Sequence, residues 1–143
     1  KLHAGQYKMD CRYCHVGAAD SRHASIPPLN VCMNCHRVVK TESPYIQQIQ
    51  KAFADGTPIQ WVRVHELPDF VYFNHRPHIR AGVSCESCHG NVKEMDRLFQ
   101  SQPLTMGWCL DCHRGVTTPK NVRENLGVHD NNVAPINCST CHY

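Results

Sequence analysis

The stretch Cys11-Arg-Tyr-Cys14-His15 is the first of five Cys-x-x-Cys-His motifs in this chain of 143 residues. We number them motif 1 to motif 5 in chain order, and the other four are Cys32-Met-Asn-Cys35-His36, Cys85-Glu-Ser-Cys88-His89, Cys109-Leu-Asp-Cys112-His113 and Cys138-Ser-Thr-Cys141-His142. All ten cysteines lie in these motifs. The pattern is the attachment signal for c-type haem, in which two thiols bond to the porphyrin and the histidine ligates the iron. The sequence therefore predicts five covalently bound haem c groups and a role in electron transfer.

Other uses of paired cysteines fit this pattern less well. A zinc site would pair one Cys-x-x-Cys with another, and ten cysteines would then give two and a half sites and leave the five histidines unexplained. A disulfide framework has scattered spacings, and a thioredoxin-like pair usually occurs once.

The composition predicts a fold that depends on its cofactors. Aromatic residues make up 8% of the chain and the mean hydropathy is −0.46, so the polypeptide has few apolar side chains for a core. We therefore predict a multihaem cytochrome c fold, with few short α-helices and long loops wrapped around a haem cluster and little strand. We do not expect the chain to fold without haem.

Charge and hydropathy also bear on partners and location. No run of 18 apolar residues is present, so no segment of this sequence is predicted to span a membrane. The net charge is +3, without a basic run of the kind that binds nucleic acid. Because haem c is attached outside the cytoplasmic membrane, we expect a location on the periplasmic side of the bacterial cytoplasmic membrane. We also expect a signal peptide or membrane anchor ahead of Lys1.

The spacing of the motifs predicts the domain organisation. Their starts are 21, 53, 24 and 29 residues apart, which groups the haems as two and three. We predict one domain over 1–143, composed of a two-haem unit (1–40), a linker helix region (41–66) and a three-haem unit (67–143). An imperfect repeat relates the two units, because the segment from Lys1 to motif 2 resembles the segment from Arg76 to motif 4.

Two helices and one extended segment are expected between the motifs. The best helix runs from Pro44 to about Asp55, with Ser43 as N-cap and Gly56 at its end. A weaker helix is predicted from Glu94 to Gln102, and residues 59–64 read as a short extended segment.

Six histidines lie outside the motifs, and five irons need five further ligands for coordination by two histidines each. His75 and His78 are the strongest candidates, because three residues apart they can serve two different irons. His3 occupies the position of His78 in the first repeat. The other candidates are His65 and His23, with His129 in reserve. Met106 is a competing iron ligand, although packing against a haem face is the more ordinary role for such a methionine.

A His-x-x-His sequence ahead of a Cys-x-x-Cys-His motif resembles the multihaem cytochrome c3 and c7 class. The resemblance implies that His75 completes the haem attached at motif 3. It also implies that His78 reaches a neighbouring haem.

Longer stretches of the sequence resemble a more specific family of multihaem cytochromes. The chain is similar to the pentahaem cytochrome c subunit of bacterial alternative complex III, on the sequences Cys11-Arg-Tyr-Cys-His15, Ser21-Arg-His-Ala-Ser-Ile-Pro27, Val31-Cys-Met-Asn-Cys-His36, Trp61-Val-Arg-Val-His65, Leu67-Pro-Asp-Phe-Val-Tyr-Phe-Asn-His75 and Met106-Gly-Trp-Cys-Leu-Asp-Cys-His-Arg114. This family implies an electron-transfer subunit, not itself an enzyme, within a membrane quinol oxidoreductase. The implied partners are iron–sulfur and membrane subunits on one side, and a monohaem cytochrome c or a terminal oxidase on the other. Membrane association would come through these partners or through an N-terminal anchor.

Two other functions remain open at this stage. A free periplasmic electron shuttle of the c3 or c7 type would share the motifs. A multihaem reductase would need one iron with an open position, which some such enzymes mark by lysine in place of the motif histidine. All five motifs here end in histidine.

The repeat predicts a residue beyond this sequence. Aligning His3 with His78 places the position just before Lys1 opposite His75, so we predict histidine there, as distal ligand of the haem at motif 1. Reading the upstream codon and identifying the imidazole on that iron tests the prediction. Another residue at that position, with His3 bound to the iron at motif 1, would contradict it.

Overall fold

The computed structural model describes residues 1–129 and 131–143. It contains eight α-helices in these ranges: α1 (Cys11–Cys14), α2 (Leu29–His36), α3 (Pro44–Ala54), α4 (His75–Arg80), α5 (Cys85–His89), α6 (Met106–His113), α7 (Lys120–Leu126) and α8 (Cys138–Cys141). A π-helical turn (Leu2–Gln6) precedes them, and a 3₁₀ turn (Val92–Glu94) follows α5. The described residues form no β-strand. Short helices joined by long loops confirm the predicted fold class.

Side-chain caps start several of these short helices. Asp10 accepts a hydrogen bond from the Arg12 N–H at 2.8 Å at the start of α1, and Asn74 accepts from the Arg76 N–H at 3.1 Å at the start of α4. Each bond satisfies a backbone donor that lacks a partner within the helix. Since an isolated helix of this length is unstable in water, tertiary contacts must hold the helices in place.

The predicted linker helix is confirmed as α3, which begins at Pro44 and ends at Ala54, with Ser43 at the N-cap position. It packs on α2. The Gln50 amide donates to the His36 carbonyl at 2.7 Å, and the Arg37 guanidinium lies 5.8 Å from the centre of the Phe53 ring.

The predicted helix from Glu94 to Gln102 is wrong. Regular structure ends at Glu94, and Met95 has an extended backbone (φ −78°, ψ 120°). The Met95 carbonyl accepts from the amino group of Lys1 at 2.8 Å, and the Gln100 side chain accepts from the Glu66 N–H at 3.0 Å. Contacts with distant parts of the chain thus replace the local hydrogen bonds of a helix. The segment 59–64 also forms no regular element.

The N-terminal π-helical turn packs against the 3₁₀ turn (Val92–Glu94). Gly5 permits this approach, because a Cβ atom there would lie 2.2 Å from the Lys93 carbonyl oxygen. The beginning of the chain is thereby held beside the segment that follows motif 3.

The apolar core of the polypeptide is very small. In the described residues the buried hydrophobic side chains are Ala18, Met33 and Val122. The accessible surface is 10336 Å², against about 7,500 Å² expected for a compact monomer of this mass. Among the described residues no helix has the length and apolar character needed to cross a bilayer. The chain is thus an open framework with few apolar contacts of its own.

Val122 in α7 is 2% exposed, so its substitution tests this small core. We expect Val122→Ala to lower the free energy of unfolding of the haem-loaded protein by about 1–3 kcal/mol, through lost burial and a residual cavity. Val38→Ala, at a position 82% exposed, is the matched control and should change it by less than about 0.5 kcal/mol. Denaturant titration followed by circular dichroism measures both, and equal effects would contradict the assignment of Val122 to the core.

Candidate haem-binding sites

Each Cys-x-x-Cys-His motif forms a single helical turn. Residues three and four apart lie on the same face of a helix, so the two thiols and the following histidine of each motif share one side. In motif 1 the His15 N–H donates to the Cys11 carbonyl at 2.9 Å, and His142 makes the same bond to Cys138. All ten cysteines are free thiols. The arrangement presents two thiols and one imidazole together, as haem attachment requires.

Hydrogen bonds at Nδ1 orient the motif histidines. Backbone carbonyls accept from four of them: Ser25 from His15 at 2.7 Å, Val39 from His36 at 3.0 Å, Pro135 from His113 at 2.6 Å and Phe70 from His142 at 2.9 Å. Since a carbonyl can only accept, the hydrogen lies on Nδ1 and the Nε2 lone pair is available to a metal. These rings are held in the tautomer that an iron ligand needs.

The spare histidines His75 and His78 are oriented in the same way. His75 Nδ1 donates to the Arg22 carbonyl at 3.0 Å, and the same carbonyl accepts from the His75 N–H at 3.1 Å. His78 Nδ1 donates to the Asn74 carbonyl at 2.8 Å. Burial lowers the pKa of His78, which keeps its ring neutral and able to bind a metal.

Three pairs of rings have the spacing of two imidazoles on one iron. A metal–nitrogen bond of about 2.0 Å, with about 1.1 Å from that nitrogen to the ring centre, places two such ring centres about 6.2 Å apart. The ring centres lie 6.4 Å apart for His75 and His89, 6.0 Å apart for His78 and His113, and 6.0 Å apart for His3 and His36. Thus His75 lies opposite motif 3, His78 opposite motif 4 and His3 opposite motif 2.

His65 has a different position from these three. Its Nε2 lies 3.2 Å from His89 Nδ1, and the two ring centres are 4.3 Å apart, too close to share one iron. With an iron held at His89 Nε2, the His89 Nδ1–H would donate to His65 Nε2. Burial, with the nearby rings of His65 and His75, lowers the pKa of His89 to about 4, so this ring is neutral at pH 7. His65 therefore lies behind a motif histidine, where it could support that ring.

The remaining candidates lie apart from these pairs. His23 and His129 are exposed, and Met106 is 69% exposed at the first position of α6. Met33 is buried and packs, as expected for a methionine. Sequence reasoning missed the carbonyls that orient the rings, since any residue type can supply a carbonyl. It also missed Arg22, whose guanidinium lies 4.9 Å from the centre of the Tyr72 ring.

Half-buried thiols of different motifs are neighbours, and one thiol of each neighbouring pair raises the pKa of the other. Burial is the main cause of a raised pKa at Cys14, Cys85, Cys88 and Cys109, and it raises the pKa of Cys88 to about 11. A thiol of another motif adds to each shift: Cys32 beside Cys14, Cys11 beside Cys85, Cys112 beside Cys88 and Cys141 beside Cys109. The five motifs therefore form one connected cluster.

The residues present fit covalently attached haem. Thiol pairs, ring tautomers and ring spacings match what this group requires, and the small apolar core leaves room for cofactors to supply buried surface. The cysteines lie in five separate turns and are not paired into four-ligand sites. Among the described residues no three Cys, His, Asp or Glu side chains are grouped to hold one metal ion by themselves.

Comparisons with known proteins agree with this chemistry. Residues 77–143 match the family model described as cytochrome c3, and residues 62–90 match the one described as cytochrome c554 and c-prime. A relative, the menaquinone reductase multihaem cytochrome c subunit of Nitratidesulfovibrio vulgaris, is 24% identical over 163 aligned residues. The alignment covers 99% of this chain and 73% of the relative. The chain is therefore similar to multihaem cytochromes c.

Substitution of His65 distinguishes a ring that supports His89 from a ring that is itself an iron ligand. A supporting ring that accepts from His89 makes the iron ligand more electron-donating, so we expect His65→Ala to raise the potential of one haem by on the order of tens of millivolts. All irons should stay low-spin. His65→Gln retains an acceptor and is the matched control, with a smaller shift. Redox titration and EPR measure both quantities, and a new high-spin iron in His65→Ala would show that His65 is itself a ligand.

Proposed function

We propose that this chain carries five c-type haems, one at each motif, and serves as the electron-transfer subunit of a quinone-linked membrane complex of the alternative complex III type. The observation that carries the proposal is the shared construction of the five motifs, each a helical turn with two thiols and an imidazole on one side. The relationship to a menaquinone reductase subunit supports the link to quinones.

Bound haem supplies reversible one-electron chemistry, and the protein residues hold and orient it. The ten cysteines provide covalent attachment, and the motif histidines provide the first axial ligands. His75, His78 and His3 lie where they can provide second axial ligands to motifs 3, 4 and 2. At motifs 2, 3 and 4, histidine on both sides favours a low potential and leaves no position for a substrate on these three irons, which supports electron transfer over reductase chemistry there.

The proposed setting is the periplasmic side of the bacterial cytoplasmic membrane. Iron–sulfur and membrane subunits of a quinol oxidoreductase would donate electrons, and a monohaem cytochrome c or a terminal oxidase would accept them. The resemblance of nearly the whole chain to the pentahaem subunit supports this arrangement. The alignment with the Nitratidesulfovibrio vulgaris protein, which covers 99% of this chain, supports assembly within a complex over a free shuttle.

The reverse direction of electron flow is the second candidate. The relative is named a menaquinone reductase subunit, which favours a chain that delivers electrons to quinone. The same residues suit both directions, because the potentials of the partners determine which way electrons move.

The haem count and the partners test the proposal. We expect the pyridine haemochrome assay to give five haems per chain, all low-spin by EPR. The chain should co-purify from native membranes with iron–sulfur and membrane subunits. A quinol analogue should reduce the haems in that complex, with the isolated subunit as the unreactive control. Fewer than five haems, or a chain recovered only free of membranes, would contradict the proposal. Oxidation of the reduced complex by a menaquinone analogue, without reduction by the quinol, would favour the reverse direction.

A further inference from the structure

Motif 1 touches both motif 2 and motif 3. The Asn34 amide of motif 2 donates to the Tyr13 hydroxyl of motif 1 at 3.0 Å, which joins α2 to α1 directly. Motif 1 also shares a cleft of about 320 Å³ with motif 3, lined by Cys11 and Arg12 from one and by Cys85 and Glu86 from the other. Motif 1 therefore lies between motifs 2 and 3.

Helix α4 connects motif 3 to motif 4. Its residues His75 and His78 are three apart on one short helix, and their ring centres lie 6.4 Å from His89 and 6.0 Å from His113, respectively. A helix rises about 1.5 Å per residue, so these two positions are only about 4.5 Å apart along its axis. Motifs 3 and 4 are therefore adjacent.

The segment ahead of motif 5 wraps around motif 4. The His113 carbonyl accepts from the Val133 N–H at 2.8 Å and from the Ala134 N–H at 3.2 Å, and His113 Nδ1 donates to the Pro135 carbonyl at 2.6 Å. Motif 5 begins three residues later, at Cys138. The chain therefore leads from motif 4 directly into motif 5, whose own hydrogen bonds at Cys141 and His142 join it to Tyr72 and Phe70, just ahead of α4.

The exposure of the cysteines agrees with these two ends, although Arg12, Tyr13 and His15 of motif 1 are exposed too. Of the ten cysteines, all of which the structure describes, two are exposed: Cys35 in motif 2 and Cys138 in motif 5. Asn34 of motif 2 and Thr140 of motif 5 are exposed as well. In motif 3, by contrast, every residue from Cys85 to His89 is half-buried. The motifs that the contacts place at the ends are the ones that present a cysteine to solvent.

We infer that the five motifs form one linear series in the order 2, 1, 3, 4, 5, and that electrons enter and leave the protein at motifs 2 and 5. The inference rests on the proposed function. Each electron accepted at one end from a reduced iron–sulfur partner is matched by one donated at the other end to an oxidised c-type cytochrome. The protein therefore undergoes no net change, and no proton is needed.

The number of neighbours of each haem tests the order. His3→Ala removes the ring opposite motif 2, an end, and His78→Ala removes the ring opposite motif 4, an interior position. In the fully reduced protein low-spin irons are diamagnetic, whereas the iron that loses a ligand is high-spin and broadens the NMR signals of adjacent haem methyl groups. We expect His3→Ala to broaden the signals of one other haem and His78→Ala those of two. Two broadened neighbours for His3→Ala, or one for His78→Ala, would overturn the order.

A second measurement covers the case in which a variant loses its haem. A crystal structure of the wild-type haem-loaded protein should show the shortest iron–iron distances for motifs 2 and 1, 1 and 3, 3 and 4, and 4 and 5. Any other nearest pair overturns the order. Neither measurement involves a partner protein, so failure of the order is distinguishable from failure of the proposed function.

The exposed ends are tested by kinetics with a monohaem cytochrome c. Thr140→Lys and Val38→Lys each place a charge at one end, and Thr117→Lys places the same charge on an exposed residue beside interior motif 4. We expect one of the two end variants to change the second-order rate constant of electron exchange by about threefold or more. Thr117→Lys should leave it unchanged. An effect of Thr117→Lys without an effect of either end variant would overturn the assignment of the ends.

Discussion

The hydrogen bond from a histidine Nδ1 to a carbonyl of another segment is the interaction on which the rest of this structure depends. His142 is held by Phe70, 72 positions away in sequence, and His75 is held by Arg22, 53 positions away. Each bond fixes a ring in its metal-binding tautomer and also fixes the path of a loop. In a chain with short helices and no strand in its described residues, these bonds determine both the site and the fold.

The small apolar core explains why the structure depends on the hydrogen bonds that orient the histidine rings. A compact domain of similar length would draw most of its stability from apolar burial, which scales with the area removed from water. Here the buried hydrophobic side chains of the described residues are Ala18, Met33 and Val122. Folding and cofactor attachment are therefore expected to be coupled, as they are in small domains that bind a structural metal. Such coupling is consistent with covalent attachment of haem, which cannot be lost by dissociation.

Local features of the sequence predicted local features of the structure. The apolar pattern behind Ser43 and Pro44 predicted α3 to within one residue of its end, because caps and amphipathic spacing determine a helix over a few turns. The helix predicted from Glu94 failed, because the amino group of Lys1 and the backbone of Glu66 compete for that segment. The position of His65 behind His89 was equally hidden. Histidine suits both a ligand and a supporting ring, and only the path of the loop decides which nitrogen it presents and to what.

The order of the motifs follows from the repeat once the contacts are known. In each repeated unit a histidine ahead of the first motif lies opposite the second motif. The ring centres of His3 and His36 are 6.0 Å apart, and so are those of His78 and His113. The units meet through their first motifs, at the cleft between Cys11 and Cys85. Two copies of one unit that join through the same surface form an isologous contact. Such a contact uses that surface on both copies and leaves none of it free for a further unit. The second motif of each unit is then left outside the contact, so a duplicated pair becomes a linear series of four. The segment at residues 133–135 adds motif 5 beside motif 4, which extends the series at one end and leaves motif 2 exposed at the other.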